Sequence, residues 1–319
     1  MFLVNNGVSL MRLFYADDFR LCVLSNQQAI DITHLVSDLP HLSRQDLMVG
    51  LITNFGSYRD KILKFLATAE GPGIENVKIR APIPRPRNIV CMAVNYMEDG
   101  TLPEPAPINA FHKAPNCIIG PGETMILPDV PASNFECEAE IAVIIGKRAY
   151  KVEQASAMDY VFGYMPFIDG SARGLPPERN VFFQGKSRET FAPTGPWIVT
   201  ADEIDEPYNI PIKLSVNGVV KQNFNTSDMA HKIARCIEWV SHVHALEPGD
   251  ILATGTNHRG LSSVQDGDLI ELECDGVGKL HFNIRDDLKR TWSRETRKER
   301  QDKGLTPLTE QLTGKYAPN

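Results

Sequence analysis

The stretch NFECEAEIAVIIG, residues 134–146, decides the fold prediction. Glu136, Glu138 and Glu140 alternate with apolar residues, which is the period of a β-strand, so their side chains are expected on one face. The strand continues as AVIIG, which is apolar on both faces and therefore typical of a buried strand. Like charges on a buried strand repel each other, and each unpaired charge costs several kcal/mol to desolvate. Solvent, nearby Lys or Arg side chains, or a bound cation must therefore neutralise them.

A divalent cation suits these glutamates because carboxylates are hard oxygen ligands. Such ligands favour Mg²⁺, Mn²⁺ or Ca²⁺ over zinc. A further carboxylate, Asp169, ends the apolar run in GYMPFIDGSARG, residues 163–174. A carboxylate at the end of a strand is well placed for function. The alternative is that Asp169 caps a turn.

Two other segments carry candidate substrate ligands. Lys186 lies in the loop FFQGKSRETFAPTGP, residues 182–196, where an ammonium can meet an anionic substrate. Thr256 lies in LATGTNHRG, residues 252–260, where a predicted strand runs into a turn whose hydroxyl and N–H groups can bind an oxyanion. The alternatives are a surface lysine and a simple turn.

The composition is that of a globular protein. The chain has 319 residues, of which 42% are hydrophobic and 23% are charged, which argues against disorder and coiled coil. Its formal net charge of −7 argues against a nucleic-acid partner, since such proteins carry a basic surplus. No apolar run is long enough to span a bilayer, and the first residues lack the basic region of a signal peptide. The six scattered cysteines form no C-x-x-C pair, which favours reduced thiols in a cytoplasmic protein.

The pattern predicts an α+β, β-rich chain in three parts. Residues 1–80 are expected to form a small α+β domain, with short strands in 12–34 and helix-type spacing of apolar residues in 43–70. Residues 81–285 are expected to form a β-rich catalytic domain. Residues 286–319 form a charged tail, predicted as a solvated helix, with packing on a partner subunit as the alternative.

Two local signals in the β-rich part are specific. Polar residues at 225–228 are N-cap candidates and predict a helix immediately after them. The segment LIELECDGVGKLHFNI predicts a hairpin that turns at Asp275-Gly276.

Eight motifs in series resemble the fumarylacetoacetate hydrolase family over about residues 85–285. They stand in the order expected for that family, and the series is far more specific than any one motif. The motifs are CMAVNY (91–96), FHKAPNCIIGPG (111–122), ECEAEIAVIIG (136–146), IDGSARG (168–174), GKSRETFAPTGP (185–196), NTSDM (225–229), LEPGDILATGT (246–256) and DGVGKL (275–280).

The resemblance implies the family's mixed β-roll catalytic fold behind a small N-terminal domain, usually as a homodimer. It also implies a Mg²⁺ or Mn²⁺ site, with the metal-binding E-x-E at Glu138 and Glu140 and a third ligand at Asp169. The family's substrate-binding lysine falls on Lys186 and its T-G-T threonine on Thr256.

The same resemblance suggests the chemistry. Arg173 matches the arginine of the D-x-S-A-R motif and is expected to support substrate binding rather than to react. Because family members act on β-dicarbonyl or 2-keto acids, the expected partner is a small-molecule keto acid. We hypothesise a metal-dependent hydrolase that cleaves a C–C bond of an acylpyruvate-like β-diketo acid, in aromatic catabolism. The alternatives are a decarboxylase, isomerase or dehydratase with the same metal–enolate chemistry, and a non-catalytic keto-acid binder.

The lid segment departs from the family pattern. Many small members carry N-Y-x-x-H-x-x-E, whose His and Glu activate water, whereas this chain has NYMEDGTL at 95–102, with Asp99 in place of the His. Glu98 or Asp99 could serve as a base or as a further metal ligand, and His112 or His258 could supply the imidazole. These four residues are the candidate bases.

Overall fold

The structure is a computed structural model that describes residues 11–176 and 182–318. These residues form nineteen β-strands and five α-helices, which confirms the β-rich α+β class. The helices are α1 (Arg44–Thr53), α2 (Phe55–Leu66), α3 (Phe182–Lys186), α4 (Ile233–Val243) and α5 (Arg297–Asp302). The strands are β1 (Arg12–Ala16), β2 (Arg20–Ser25), β3 (Gln28–Asp31), β4 (Ile79–Arg80), β5 (Ile89–Met92), β6 (Ala110–Lys113), β7 (Ile118–Ile119), β8 (Thr124–Ile126), β9 (Phe135–Ile145), β10 (Val161–Ala172), β11 (Ala192–Pro193), β12 (Ile198–Thr200), β13 (Pro211–Val216), β14 (Val219–Asn225), β15 (Ile251–Ala253), β16 (Leu269–Cys274), β17 (Gly278–Arg285), β18 (Thr291–Trp292) and β19 (Gln311–Thr313).

A ten-stranded sheet organises the chain, in the order β3-β2-β1-β12-β10-β9-β15-β5-β6 with β4 paired to β1. The long strands β9 and β10 pair antiparallel near its centre. Because β1 pairs with β12, the strands of the first 80 residues continue the sheet that contains β9. A second sheet, in the order β14-β13-β16-β17-β8, shares a hydrophobic core with β9.

Strand β9 is buried along its whole length, as its apolar continuation predicts. Its odd-numbered residues, from Phe135 to Ile145, belong to the core shared with the second sheet. On the opposite face, Ala142 and Ile144 pack into a second core with β1–β3, α1 and α2. The three glutamates occupy the first half of that second face, so the carboxylates begin where the apolar core ends.

Several local predictions are confirmed. Strands β1–β3 lie within 12–34, helices α1 and α2 lie within 43–70, and β16 and β17 form the hairpin around Asp275-Gly276. All six cysteines are buried and free of disulfides. Among the described residues, no helix has both the length and the apolar character that a membrane span requires.

The helix predicted after residue 228 begins later than expected. Asn225 caps a 3₁₀ turn at Thr226–Asp228, and α4 starts only after a further segment. In that segment Asn95 accepts hydrogen bonds from the N–H groups of Ala230 and His231, at 2.9 Å each. A contact with a residue distant in sequence thus fixes the backbone of this segment, which precedes the helix.

The charged tail is not the solvated helix that its composition predicts. Residues 286–318 contain β18, β19 and the short helix α5, and the Arg290 side chain is fully buried. Its guanidinium donates two hydrogen bonds to Asp286 and one each to the carbonyl oxygens of Pro128 and Val130, at 2.9–3.1 Å. A count of charged residues does not distinguish such internal pairing from solvation.

We expect Arg290→Met to lower the free energy of unfolding by about 3–5 kcal/mol, because it leaves the buried Asp286 carboxylate without its charge partner. Urea unfolding followed by circular dichroism measures the change. The matched control is Lys315→Met, which removes a half-exposed lysine from its ion pair with Asp129 and should leave the midpoint unchanged. Equal shifts in the two variants would contradict this account of the tail.

Candidate active site

The pairing of β9 with β10 assembles a carboxylate cluster, formed by Glu138, Glu140 and Asp169. Asp169 on β10 lies directly opposite Glu138 on β9, so the two side chains share a face. Glu140 projects from the same face, and all three side chains are buried. One carboxylate oxygen from each lies within 4.8 Å of the others, which is close enough for the three to share one ion. The predicted metal ligands therefore lie together.

Two buried lysines neutralise part of this cluster. Lys186, at the end of α3, donates to Glu138 Oε2 at 2.7 Å and to Asp169 Oδ2 at 2.5 Å. Lys113, on β6, donates to Asp169 Oδ1 at 2.6 Å and to the backbone carbonyl of Lys186 at 2.5 Å. Lys113 therefore holds both a carboxylate of the cluster and the segment that carries Lys186.

Glu136, the first glutamate of β9, faces two arginines. Arg297 of α5 donates to its two oxygens at 3.0 and 2.6 Å, and Arg173 Nε donates at 2.8 Å. Arg173 also donates to Glu138 through Nη2 and thereby links Glu136 to the cluster. Burial raises the pKa of Glu136, but the charges of Arg173 and Arg297 outweigh it and lower that pKa to about 2.

The pKa values of the two glutamates of the cluster are shifted in opposite directions. Burial raises the pKa of Glu138, but the charges of Lys186 and Arg173 outweigh it and hold that pKa well below its ordinary value. Burial raises the pKa of Glu140 well above its ordinary value, and the charges of Asp169 and Glu138 add to the shift. The Glu140 end of the cluster therefore lacks the positive charge that would stabilise its ionised carboxylate.

The donor set fits a divalent cation. All three donors are carboxylate oxygens, which favour Mg²⁺, Mn²⁺ or Ca²⁺ over zinc. A cation beside Glu140 would supply the positive charge that this end of the cluster lacks, and it would stabilise the ionised carboxylate. Glu138, Glu140 and Asp169 are the residues that would hold it.

The T-G-T turn places Thr256 beside the cluster. Gly255 has a φ of +88°, which glycine adopts without strain, and its N–H donates to Glu140 at 2.7 Å. Thr256 Oγ1 accepts a hydrogen bond from the side-chain amide of Gln222 at 2.8 Å. Gln222 also accepts from the Ala139 N–H of β9 at 3.0 Å, so it ties the turn to the strand. The hydroxyl proton of Thr256 can then be donated to a ligand oxygen.

Glu98 and His258 form a hydrogen-bonded pair. Glu98 Oε1 lies 2.6 Å from His258 Nδ1, and Oε2 accepts from the backbone N–H of His258 at 2.9 Å. Because a carboxylate only accepts, Nδ1 carries the proton of the neutral ring and Nε2 is left able to accept one. Two of the four candidate bases are thus joined as one unit, and Glu98 pairs with an imidazole rather than with the carboxylate cluster.

An unusual backbone conformation directs Glu98 toward His258. Glu98 and Asp99 have φ values of +55° and +58°, a conformation that costs non-glycine residues about 1–3 kcal/mol each. Asp228 holds the segment, because it accepts hydrogen bonds from the N–H groups of Met97 at 2.9 Å and of Asp99 at 3.1 Å. Such strain persists only where surrounding contacts over-determine it.

The other two candidate bases lie elsewhere. Asp99 accepts from Asn257 Nδ2 at 3.0 Å and lines a separate cavity. His112 Nε2 lies 3.2 Å from His244 Nε2, on the exposed side of β6. Within the part of the chain that the structure describes, neither side chain contacts the carboxylate cluster.

A cavity of about 90 Å³ opens onto the cluster at Glu138 and is lined by His258, the imidazole of the Glu98–His258 pair. Its polar lining consists of Glu138, Arg173, Lys186, Thr256 and His258. Its apolar lining consists of Met92, Ala93, Val94, Phe111 and Phe182. The rings of Phe111 and Phe182 stack with their centroids 4.5 Å apart. The cavity thus combines anion-binding groups, an imidazole and an apolar wall.

Sequence reasoning missed three residues of this site: Lys113, Gln222 and Arg297. For Lys113 a signal existed, since alternation along β6 places it on the opposite face from His112. Gln222 and Arg297 reach the site from segments far away along the chain. No local pattern indicates those contacts.

The fold and the cavity define a class of enzyme that can hold a divalent cation against an anionic ligand inside a mixed sheet. The family model described as fumarylacetoacetate (FAA) hydrolase C-terminal matches residues 88–285. The chain therefore belongs to the fumarylacetoacetate hydrolase family, as the motifs predict.

Three relatives illustrate the range of the family. A maleylpyruvate hydrolase of Aquipseudomonas alcaligenes is 31% identical over 293 residues, which cover 86% of this chain and 99% of the relative. An oxaloacetate tautomerase of Bacillus subtilis is 35% identical over 225 residues, which cover 66% of this chain and 74% of the relative. The crystal structure of maleylpyruvate hydrolase from Sphingobium sp. SYK-6 with manganese(II) ion and pyruvate is 35% identical, with a TM-score of 0.78, and covers 86% of this chain and 99% of its own.

We expect Glu138→Ala to abolish stoichiometric Mn²⁺ binding, because it removes one of three carboxylates that would share the ion. Titration of Mn²⁺ followed by electron paramagnetic resonance of the free ion measures this. The matched control is Glu273→Ala, which removes an exposed glutamate of β16 and should leave binding intact. Stoichiometric Mn²⁺ in Glu138→Ala would place the ion elsewhere.

Proposed function

We propose that the chain is a divalent-metal-dependent hydrolase that cleaves a C–C bond of an acylpyruvate-like β-diketo acid. The observation that carries this proposal is the Glu98–His258 pair beside a cavity that also contains Lys186 and Thr256. A hydrolase needs a base for water as well as an anion-binding site, whereas a keto-acid binder needs only the second. The similarity to two maleylpyruvate hydrolases along 86% of the chain supports the same reaction class.

The proposed reaction begins at His258. Its Nε2 takes a proton from water, and Glu98 stabilises the imidazolium that forms. The resulting hydroxide attacks the acyl carbonyl carbon of the substrate. The bond from that carbon to the pyruvate methylene breaks, and its electron pair passes to the pyruvate unit as an enolate. His258 returns the proton to the methylene carbon of this enolate. The products are pyruvate and a second carboxylic acid.

The other cavity residues bind and orient the substrate. Lys186 Nζ and Thr256 Oγ1 are fixed donors for oxygens that become more negative as the enolate forms. Arg173 supports the position of Lys186 through Glu138, with which both side chains pair. A Mg²⁺ or Mn²⁺ ion, held by the carboxylate cluster, supplies a Lewis acid for the 2-oxo acid oxygens when bound. The stacked rings of Phe111 and Phe182 would face the acyl tail.

A keto-acid tautomerase or isomerase is the second candidate. The similarity to an oxaloacetate tautomerase favours it. The same His258 can move a proton between carbon and oxygen of a bound keto acid without activating water. The homodimer, the cytoplasmic location and the place in aromatic catabolism stay predictions.

We expect His258→Gln to lower kcat by about 10²–10⁴-fold, which is the usual contribution of a positioned general base. Glu98→Gln should lower kcat less, because an amide oxygen still accepts from Nδ1 but does not stabilise the imidazolium. Steady-state rates of pyruvate release from an acylpyruvate measure both.

Two further variants separate this base from its rivals. His242→Gln is the matched control, since this histidine lies at the end of α4 and should leave kcat unchanged. Asp99→Asn tests the neighbouring candidate and should also leave kcat unchanged, because Asp99 lines another cavity. A large loss in Asp99→Asn with full activity in His258→Gln would reverse the assignment.

The reaction itself is tested by product analysis. The purified protein is incubated with acylpyruvates and with oxaloacetate, each with Mg²⁺, with Mn²⁺ or with excess chelator, and the products are read by NMR. The proposal predicts chelator-sensitive release of pyruvate and a second acid from an acylpyruvate. Keto–enol exchange or an isomer, without C–C cleavage, would move the assignment to the second candidate.

A further inference from the structure

The C-terminal segment, residues 286–318, reaches the active site from outside the matched family domain, which ends at residue 285. Its helix α5 is short and begins with a capping box between Thr296 and Glu299. This cap fixes the first turn of α5, which contains Arg297. The segment contacts the site in two places.

The first contact runs through Arg297 to the carboxylate cluster. The Arg297 guanidinium donates to both oxygens of the buried Glu136, at 3.0 and 2.6 Å. Glu136 also accepts from Arg173 at 2.8 Å, and Arg173 in turn donates to Glu138. A continuous series of ion pairs therefore connects α5 to a residue of the cluster.

The second contact holds the loop that carries His258. The Arg297 backbone N–H donates to the carbonyl oxygen of Leu261 at 2.8 Å. The next N–H, that of Lys298, donates to the carbonyl oxygen of Arg259 at 2.8 Å. The backbone directly after His258 is thus hydrogen-bonded to α5. The C-terminal segment therefore contacts both the ion pairs of the carboxylate cluster and the loop that carries His258.

We propose that the C-terminal segment is a positioning element of the active site, in which Arg297 sets how Arg173 is shared between Glu136 and Glu138. Arg297 acts through Arg173 and is therefore a positioning residue. The inference rests on the proposed function only for the choice of assay substrate.

The ion pairs predict that loss of Arg297 strengthens cation binding at the carboxylate cluster and weakens substrate binding in the cavity. Without Arg297, the buried Glu136 carboxylate depends on Arg173, because an unpaired buried charge is strongly destabilising. Arg173 is then expected to move toward Glu136 and away from Glu138. A cation meets Glu138 with less competition, whereas the substrate loses the arginine that lines its cavity. A general loss of stability would instead weaken both cation binding and substrate binding.

The test uses the full chain and variants at Arg297. We expect Arg297→Met to bind Mn²⁺ about tenfold more tightly and to raise KM about tenfold, which corresponds to a coupling of about 1.4 kcal/mol between neighbouring charges. Arg297→Lys should fall between this variant and the native protein, because an ammonium keeps the charge but not the two-pronged geometry. Electron paramagnetic resonance of free Mn²⁺, steady-state kinetics and thermal unfolding are measured on each protein.

Two controls isolate the ion pairs. The double variant Glu136→Gln/Arg297→Met removes the buried charge together with its partner, so Arg173 is expected back on Glu138 and the Mn²⁺ affinity near the native value. Lys298→Ala removes the neighbouring side chain of α5, which pairs with Asp302 at the surface, and should change neither Mn²⁺ affinity nor KM.

Unchanged or weaker Mn²⁺ binding in a folded Arg297→Met protein would overturn the inference, and so would the same change in Lys298→Ala. If Arg297→Met does not fold, Arg297→Lys decides the question: tighter Mn²⁺ binding supports the inference, and unchanged or weaker Mn²⁺ binding overturns it. The Mn²⁺ titration needs no substrate. Inactivity toward every acylpyruvate, together with the expected Mn²⁺ response, would therefore count against the proposed function and in favour of this inference.

Discussion

The burial of like charges on β9 is the constraint on which the rest of the site depends. The strand packs into one core through its odd-numbered residues and into a second core through Ala142 and Ile144, so its glutamates are held away from solvent. Positive groups must therefore come to them. They arrive from the end of α3, from the residue after β10 and from α5, while Lys113 of β6 pairs with Asp169 opposite Glu138. The Glu140 end remains short of positive charge, which is why a divalent cation fits there.

The Glu98–His258 pair is separate from this cluster and depends on different contacts. The family's His–Glu lid pattern is replaced here by a pair in which the lid supplies the carboxylate, Glu98, and the turn after Thr256 supplies the imidazole, His258. The strained backbone at Glu98 is maintained by Asp228 and by the His258 backbone. We propose that this pair performs the task of the missing dyad, with the carboxylate and the imidazole supplied by two segments instead of one.

The sequence was informative wherever a local pattern determined the structure. Alternation along β9 predicts that Glu138 and Glu140 share a face, because the β-strand period is a local rule. The apolar run before Asp169 predicts a strand there, but β10 continues to Ala172, so Asp169 lies within the strand opposite Glu138 rather than at its end. The helix after residue 228 begins late, and the segment before it is bonded to Asn95, a contact distant in sequence that no local pattern indicates. The tail was misjudged because composition does not show which charges are paired. Arg297 and Gln222 were missed because their partners, Glu136 and Thr256, are far away in sequence.

Anomalous diffraction from crystals soaked in MnCl₂, recorded at the manganese absorption edge, tests most directly whether the carboxylate cluster is a metal site. The account predicts one strong peak between the carboxylates of Glu138, Glu140 and Asp169, with Lys186 Nζ moved away from its position between Glu138 and Asp169. The absence of a peak there at saturating Mn²⁺, with Lys186 still bridging those two carboxylates, would contradict it. The cluster would then be a structural network neutralised by its own lysines and arginines.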